Sequence, residues 1–130
     1  LTPGLREMSY GVAEGKPQAW LDSRRLPVPD EGSLDDTGGI DGAETRREMG
    51  TRIYDAMDAL QADPADTLVM VTHGFALTFI IAWWIGMPID CLGRVNFPVP
   101  SGSISHLAEN TQWKSRAVVT LGERDHLIGA

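Results

Sequence analysis

The sequence has only one cysteine, Cys91, among its 130 residues. A lone thiol cannot form a disulfide within the chain, so a small scaffold held together by disulfide bridges is excluded. We interpret Cys91 as a small buried apolar residue rather than a nucleophile, because no base is identified for it. The sequence also lacks any cluster of histidine, cysteine and acidic residues at ligand spacing, so we expect no metal and no cofactor.

Basic residues and long hydrophobic runs are scarce as well. Lysine and arginine number 11 against 18 acidic residues, which gives a formal net charge of −7. This balance argues against nucleic acid or an anionic membrane as a partner, since both require a basic surface. The longest apolar run, residues 75–87, is shorter than the ~20 residues of a membrane-spanning helix. No signal segment is visible, and we expect a soluble, cytoplasmic protein.

What remains is the composition of one globular domain. Hydrophobic residues make up 42% of the chain and charged residues 22%, which is ordinary for a protein with a packed core. The length suits a single domain over residues 1–130. Residues 16–43 are rich in proline, glycine, aspartate and serine, which predicts a long surface segment and a candidate lid or binding loop.

Two helices are predicted from apolar spacing and end signals. "TRRE", residues 45–48, fits a capping box, and apolar residues follow it at three- and four-residue steps to about Ala62. "FALTFIIAWWIG" is apolar nearly all round, which predicts a deeply packed helix that ends at Gly86.

Strands are predicted on either side of the second helix. "LVMV", residues 68–71, is a short apolar run, typical of a strand covered on both faces in a parallel sheet. "SISHLAE" and "SRAVVTLG" alternate well enough to form an antiparallel hairpin. The expected fold class is α/β, with a mostly parallel sheet flanked by helices.

His73 and Gly74 fall where the apolar strand ends and the apolar helix begins. In open α/β sheets, ligands bind beyond the carboxyl ends of the strands, and the following helix offers unpaired N–H groups to an anion. Glycine allows backbone and ligand to approach closely. From these residues alone, a tolerated polar residue beside a simple turn is the favoured interpretation.

Other motifs favour the functional interpretation. The chain contains Leu5-x-Glu7-x-x-x-Gly11-x-x-x-Gly15, then Gly42-x-Glu44 before a helix, then Val71-x-His73-Gly74. In this order and spacing they resemble the histidine phosphatase superfamily, the phosphoglycerate mutase-like family. "GSISHL" and "RDHL" are similar to that family's last strands and end. The resemblance covers essentially all of residues 1–130.

The resemblance implies a role for each matching residue. In the family, a histidine in an N-terminal Arg-His-Gly motif attacks the phosphoryl group, and a second histidine stabilises that group during transfer. His73 matches the second histidine, with Gly74 beside it at the phosphate. Glu7 matches the acid that protonates the leaving oxygen and later activates water. Glu44 has a counterpart near the pocket, and we leave it outside the catalytic set.

The chain departs from the family in one respect: it contains no Arg-His-Gly. We interpret it as the C-terminal portion of the domain, with the N-terminal part and the nucleophile missing. The alternatives are a natural remnant that binds phosphate without turning it over, and an enzyme that recruits other residues.

The implied function of the complete enzyme is hydrolysis of a small phosphomonoester through a phosphohistidine. Mutase-type phosphoryl transfer and a non-catalytic, oligomerising phosphate-binding protein are the alternatives. Phosphatase is favoured over mutase because only 66 positions separate Glu7 from His73, and cofactor-dependent mutases carry longer insertions there.

A missing N-terminal part would remove core strands and leave apolar faces exposed. Large exposed apolar patches rarely persist in soluble monomers. We therefore predict that the 130-residue chain forms a homodimer, or a distorted fold, unless the N-terminal segment is supplied. Size-exclusion chromatography with light scattering measures the mass, and a compact, stable monomer at high dilution contradicts the prediction.

Overall fold

Helices and one hairpin form the regular structure in a computed structural model that describes residues 1–62 and 65–128. The helices are α1, Gln18–Asp22; α2, Arg46–Gln61; and α3, Gly74–Trp84. The strands are β1, Ile104–Asn110, and β2, Ser115–Glu123. Short 3-10 turns lie at Pro3–Leu5, Gly11–Ala13, Ile89–Arg94 and Asp125–Leu127. Within the described ranges, no helix combines the length and the apolar character needed to cross a bilayer.

Helix α2 begins at the predicted capping box. The Thr45 hydroxyl accepts a hydrogen bond from the Glu48 N–H at 3.1 Å, and the Glu48 carboxylate accepts one from the Thr45 N–H at 2.8 Å. The helix ends at Gln61, one residue before the predicted Ala62. Its buried stripe faces α3, so the amphipathic interpretation is confirmed; the buried residues are Met49, Gly50, Ile53 and Met57.

Helix α3 forms the centre of the core. Seven of its residues are buried on all sides of the helix, as its apolar sequence predicts. They are Ala76, Thr78, Phe79, Ile80, Ile81, Ala82 and Trp83. The Phe79 ring meets the Phe75 ring edge-on, with centroids 5.1 Å apart. The chain then turns at Gly86, and the predicted helix and its end are confirmed.

Strands β1 and β2 form the predicted antiparallel hairpin. Leu107 lies opposite Val118, and the register shifts on either side of His106, which indicates a bulge. The hairpin is attached to α3 through its second strand. The Trp84 indole N–H donates to the Ala117 carbonyl at 3.0 Å, and the Arg116 guanidinium lies 4.7 Å from the Trp84 ring centroid.

Residues 68–72 differ from the sequence prediction. They form no helix or strand, and they pair with no strand in the part of the chain that the structure describes. Val69 is 84% exposed and Val71 95%, so the predicted burial on both faces is wrong for this chain. The one sheet among the described residues is antiparallel, and a mostly parallel sheet is not confirmed. The physical reason is that an apolar strand is covered only when neighbouring strands and helices flank it.

Gly50 is the point of closest packing between α2 and the turn Ile89–Arg94. A Cβ at Gly50 would lie 2.3 Å from Cδ1 of Leu92, and Leu92 is fully buried. Alanine gains about 1 kcal/mol over glycine inside a helix, whereas overpacking a filled core costs about 1–3 kcal/mol. The steric cost exceeds the gain in helix propensity because the leucine side chain has no free space to enter.

We therefore predict that Gly50→Ala lowers the free energy of unfolding by about 1–2 kcal/mol, measured by urea denaturation. The same substitution in a Leu92→Ala background removes the clash, and there it should stabilise the protein by up to about 1 kcal/mol. An equal loss in both backgrounds contradicts this explanation.

Candidate functional site

His73 lies at the junction predicted from the sequence. Its backbone is extended, with φ −113° and ψ 161°, and it forms the N-cap of α3. Its carbonyl accepts the first intrahelical hydrogen bond, from the Leu77 N–H at 3.0 Å. The His73 side chain is exposed, and Gly74 is the first residue of the helix. The imidazole is therefore open to solvent at the end of the helix where N–H groups lack intrahelical acceptors.

Glu7 reaches the same junction from the other end of the sequence. Its Oε2 accepts a hydrogen bond from the Phe75 N–H at 3.1 Å, and its Oε1 accepts one from the Met8 N–H at 2.9 Å. Phe75 is two residues after His73, so the structure brings Glu7 and His73 to the same turn. The positive end of the helix dipole favours a carboxylate at this position.

A second contact aligns the two segments. The Thr72 hydroxyl donates to the Leu5 carbonyl at 2.8 Å, so residues 5–7 run beside residues 72–75. On the other side, Gly4 lies against α2, where an added Cβ would be 2.7 Å from the Cβ of Ala56. The N-terminal segment therefore passes between α2 and the start of α3.

Arg52 on α2 is the residue that the sequence reasoning missed. Its guanidinium donates to three backbone carbonyls, those of Gly4 at 2.7 Å, Arg6 at 3.0 Å and Glu7 at 3.1 Å. It also binds both carboxylate oxygens of Glu44, at 2.5 and 2.8 Å. No local pattern marks Arg52, because its carbonyl partners are 45 to 48 positions away in the sequence.

Glu44 is the anion that faces Arg52. The two side chains are only 9% and 16% exposed, and the Glu44 carboxylate also accepts a hydrogen bond from the Ser9 N–H at 3.1 Å. Burial alone raises the pKa of Glu44, but the hydrogen bonds from Arg52 and Ser9 and the charges of Arg52 and Arg6 outweigh it. The pKa of Glu44 is therefore below its usual value, and the carboxylate is ionised at neutral pH.

The segment after the turn Ile89–Arg94 forms a wall beside Gly74. The buried Thr78 hydroxyl accepts from the Phe97 N–H at 3.1 Å and contacts the Asn96 Oδ1 at 3.3 Å. This holds the following residues across the start of α3, where the Val99 carbonyl lies 3.8 Å from the position of a Cβ on Gly74. A larger residue at 74 would narrow this approach to His73.

Arg46 adds a cation on the other side of the same turn. It lies 5.0 Å from the centroid of the Phe75 ring and donates to the carbonyls of Leu92 and Val95 at 2.8 and 3.1 Å. Burial lowers the pKa of Arg46, yet an arginine remains charged at neutral pH.

Two other features of the sequence, the segment 16–43 and Cys91, contribute to a separate cleft. The segment 16–43 is held by Arg47, which binds Asp35 at 2.6 and 3.0 Å. An open cleft lies between residues 29–36 and 90–94, and its lining includes Cys91 but neither Glu7 nor His73. Cys91 is exposed, so its predicted burial is wrong: it lies on the surface turn Ile89–Arg94 and lines this open cleft. Among residues 1–62 and 65–128, no group of three or more histidine, cysteine or acidic side chains is arranged to hold a metal ion.

The pKa of Glu44 predicts a pH dependence of stability. A carboxyl group with a lower pKa in the folded protein stabilises it above the unfolded pKa, near 4.5, and this contribution is lost as the pH falls through the folded value. Glu44→Gln should therefore lower the free energy of unfolding by about 1.5–3 kcal/mol at pH 7, the range for a hydrogen bond to a charged group. The difference from the wild type should shrink below pH 4.5.

The matched control is Asp90→Asn, which removes an exposed ion pair with Arg47. Exposed pairs contribute about 0–1 kcal/mol, so chemical denaturation at pH 7 should show a smaller loss. A Glu44→Gln deficit that stays constant from pH 7 to pH 3 contradicts the assigned pKa direction.

Comparison with known proteins identifies the family of this chain. A family model described as the histidine phosphatase superfamily (branch 1) matches residues 1–120. No curated protein and no solved structure gives a match. The matched range contains both Glu7 and His73 and extends into β2. Since the match spans most of the sequence, this chain belongs to the histidine phosphatase superfamily, whose fold class is α/β.

Proposed function

We propose that this chain provides the general acid/base and part of the phosphate site of a phosphomonoesterase that acts through a phosphohistidine. Membership of the superfamily supports phosphatase- or mutase-type phosphoryl transfer. The single observation that carries the proposal is the hydrogen bond from the Phe75 N–H to Glu7 Oε2, 3.1 Å long. It holds a carboxyl group at the helix end that His73 caps.

His73 and Gly74 bind the phosphoryl group in this proposal. The N–H groups of the first turn of α3 other than that of Phe75, together with the dipole of the helix, attract an anion, and the exposed imidazole can donate to a phosphoryl oxygen. A hydrogen bond from His73 stabilises the negative charge on the equatorial oxygens as the phosphoryl group moves. Gly74 has no side chain, so a phosphoryl oxygen can approach the backbone of the first turn closely.

Glu7 acts in both halves of the reaction. In the first, an imidazole nitrogen forms a bond to phosphorus while the bond from phosphorus to the leaving oxygen breaks, and the protonated Glu7 gives its proton to that oxygen. In the second, the Glu7 carboxylate takes a proton from water as the water oxygen bonds to phosphorus and the nitrogen–phosphorus bond breaks. The products are an alcohol and inorganic phosphate, and Glu7 is again protonated.

The attacking imidazole requires a further piece of protein. The superfamily's Arg-His-Gly motif has no counterpart in these 130 residues. We propose that an N-terminal segment of the same protein carries it, and that this segment pairs with residues 68–72 to build the mostly parallel sheet. The exposed Val69 and Val71 support this pairing, because they are apolar side chains on a segment that pairs with no strand among the described residues. For the isolated chain, we propose that a second copy covers these apolar side chains and that the two copies form a homodimer.

The proposed substrate is a small phosphorylated compound in the cytoplasm, with no nucleic acid or membrane as partner. The net charge of −7 supports this, because the cationic groups near Glu7 and His73 form only a local positive region. The second candidate is a phosphate-binding protein without turnover. The absence of Arg-His-Gly from the sequence favours it.

The test is hydrolysis of p-nitrophenyl phosphate by the protein translated from its complete reading frame. We predict that Glu7→Gln and His73→Ala each lower kcat by at least about 100-fold, the usual minimum for a lost general acid or base. His106→Ala, an exposed histidine on β1, is the matched control and should leave kcat unchanged. Release of phosphate from a trapped phosphohistidine should also slow in Glu7→Gln.

Equal turnover in the wild type and both site variants contradicts the enzymatic proposal. If there is no turnover at all, titration with inorganic phosphate decides between the candidates. A phosphate-dependent NMR shift of the Phe75 amide that His73→Ala abolishes supports the non-catalytic protein and overturns the enzyme. Absence of both turnover and binding overturns both.

A further inference from the structure

We infer that Arg52, together with Glu44, is a positioning pair that fixes the general acid/base Glu7 against the first turn of α3; this rests on the proposed function of Glu7. The pair touches neither His73 nor the proposed phosphate position. Its contacts are with the backbone on both sides of Glu7 and with the carbonyl of Glu7 itself.

The segment that carries Glu7 has little regular structure to hold it. Its nearest elements are the 3-10 turn Pro3–Leu5 and an isolated bridge between Tyr10 and Ala43. Residues 6–9 therefore depend on other contacts for their position. Loops without such contacts sample many conformations, and a carboxyl group on a mobile segment seldom occupies its reactive geometry.

Arg52 supplies those contacts with its full hydrogen-bonding capacity. A guanidinium has five N–H donors in a planar fork. In this structure it makes five hydrogen bonds, to the carbonyls of Gly4, Arg6 and Glu7 and to the two oxygens of Glu44. Three carbonyls that converge on one rigid cation fix both the path and the rotation of the segment.

Glu44 completes the arrangement from the other side. It neutralises a largely buried cation, and its Oε2 also accepts from the Ser9 N–H at 3.1 Å. The backbone N–H of Glu44 donates to the Ser9 carbonyl at 2.9 Å. Glu7 is therefore bracketed by Arg52 before it and by Glu44 after it, and its side chain can extend in the direction of Phe75.

A lysine at position 52 cannot reproduce this geometry. Its ammonium has three donors that radiate from one point, so it cannot span three carbonyls and two carboxylate oxygens. Arg52→Lys therefore keeps the charge and most of the packing, but it removes the hydrogen bonds that fix the segment around Glu7. The variant thus distinguishes positioning of Glu7 from simple neutralisation of the Glu44 charge.

The Phe75 amide provides a direct readout of where the Glu7 carboxyl group lies. The 130 residues contain three phenylalanines, so selective ¹⁵N-phenylalanine labelling gives few signals to assign, with Phe79 and Phe97 as internal references. Because Glu7 Oε2 accepts a hydrogen bond from the Phe75 N–H, Glu7→Gln should shift the Phe75 amide signal while the signals of Phe79 and Phe97 stay in place. A Phe75 signal at the same position in Glu7→Gln refutes the contact on which the proposed function rests.

If the Glu7 contact holds, we predict that Arg52→Gln and Glu44→Gln each move the Phe75 amide signal by more than half of the shift that Glu7→Gln causes. Arg52→Lys should move it to a similar extent. Arg47→Gln is the matched control: it lies on the same helix, binds Asp35 and Asp90 instead, and should leave the Phe75 signal in place. An unmoved Phe75 signal in all the Arg52 and Glu44 variants overturns the inference and leaves the proposed role of Glu7 intact.

Kinetics of the complete protein provide the second readout. A displaced acid impairs the chemical step, and a displacement of about 1 Å costs about 100-fold in rate. Arg52→Lys should therefore lower kcat by about 10- to 100-fold with KM within about twofold of the wild type. A rise in KM with unchanged kcat contradicts positioning. Should Arg52→Gln fail to fold by circular dichroism, the Arg52→Lys and Glu44→Gln variants decide the result.

Discussion

The ion pair between Arg52 and Glu44 is the interaction on which the candidate site depends. Removing two charges from water is costly, and the cost is recovered only where the remaining donors and acceptors are also satisfied. Here the guanidinium uses its five donors, and the carboxylate additionally binds a backbone N–H. The same bonds that make the buried pair tolerable therefore fasten an otherwise irregular N-terminal segment to α2.

The position of Glu7 also depends on the different distribution of apolar residues on α2 and α3. Helix α3 is apolar on all sides and lies at the centre of the core, so its first turn cannot move far without disturbing buried residues. Helix α2 is amphipathic and presents Arg52 beside its buried stripe. Glu7 is held by α2 through its backbone and by α3 through its side chain, at Phe75. Packing of the two helices thereby sets the distance between the carboxyl group and the end of α3.

His73 lies between the candidate site and a segment whose apolar side chains are exposed to solvent. Residues 68–72, which form no helix or strand, precede it, and Val69 and Val71 expose apolar side chains to solvent. Any segment that covers these side chains also approaches His73, which follows directly in the chain. In the proposed enzyme, the N-terminal segment that covers them would therefore lie beside the candidate site.

The sequence by itself determined the local elements and singled out candidate site residues. Helix α2 is limited by a capping box, α3 by its apolar run and Gly86, and the hairpin by alternation, because each signal acts between residues close together in the chain. The motifs also singled out Glu7 and His73. Only the tertiary structure decided that Glu7 meets the helix at Phe75, that Arg52 holds its segment, and that residues 68–72 stay unpaired within the described chain. These outcomes depend on contacts between residues tens of positions apart, and no local pattern of propensity or polarity specifies which distant groups meet.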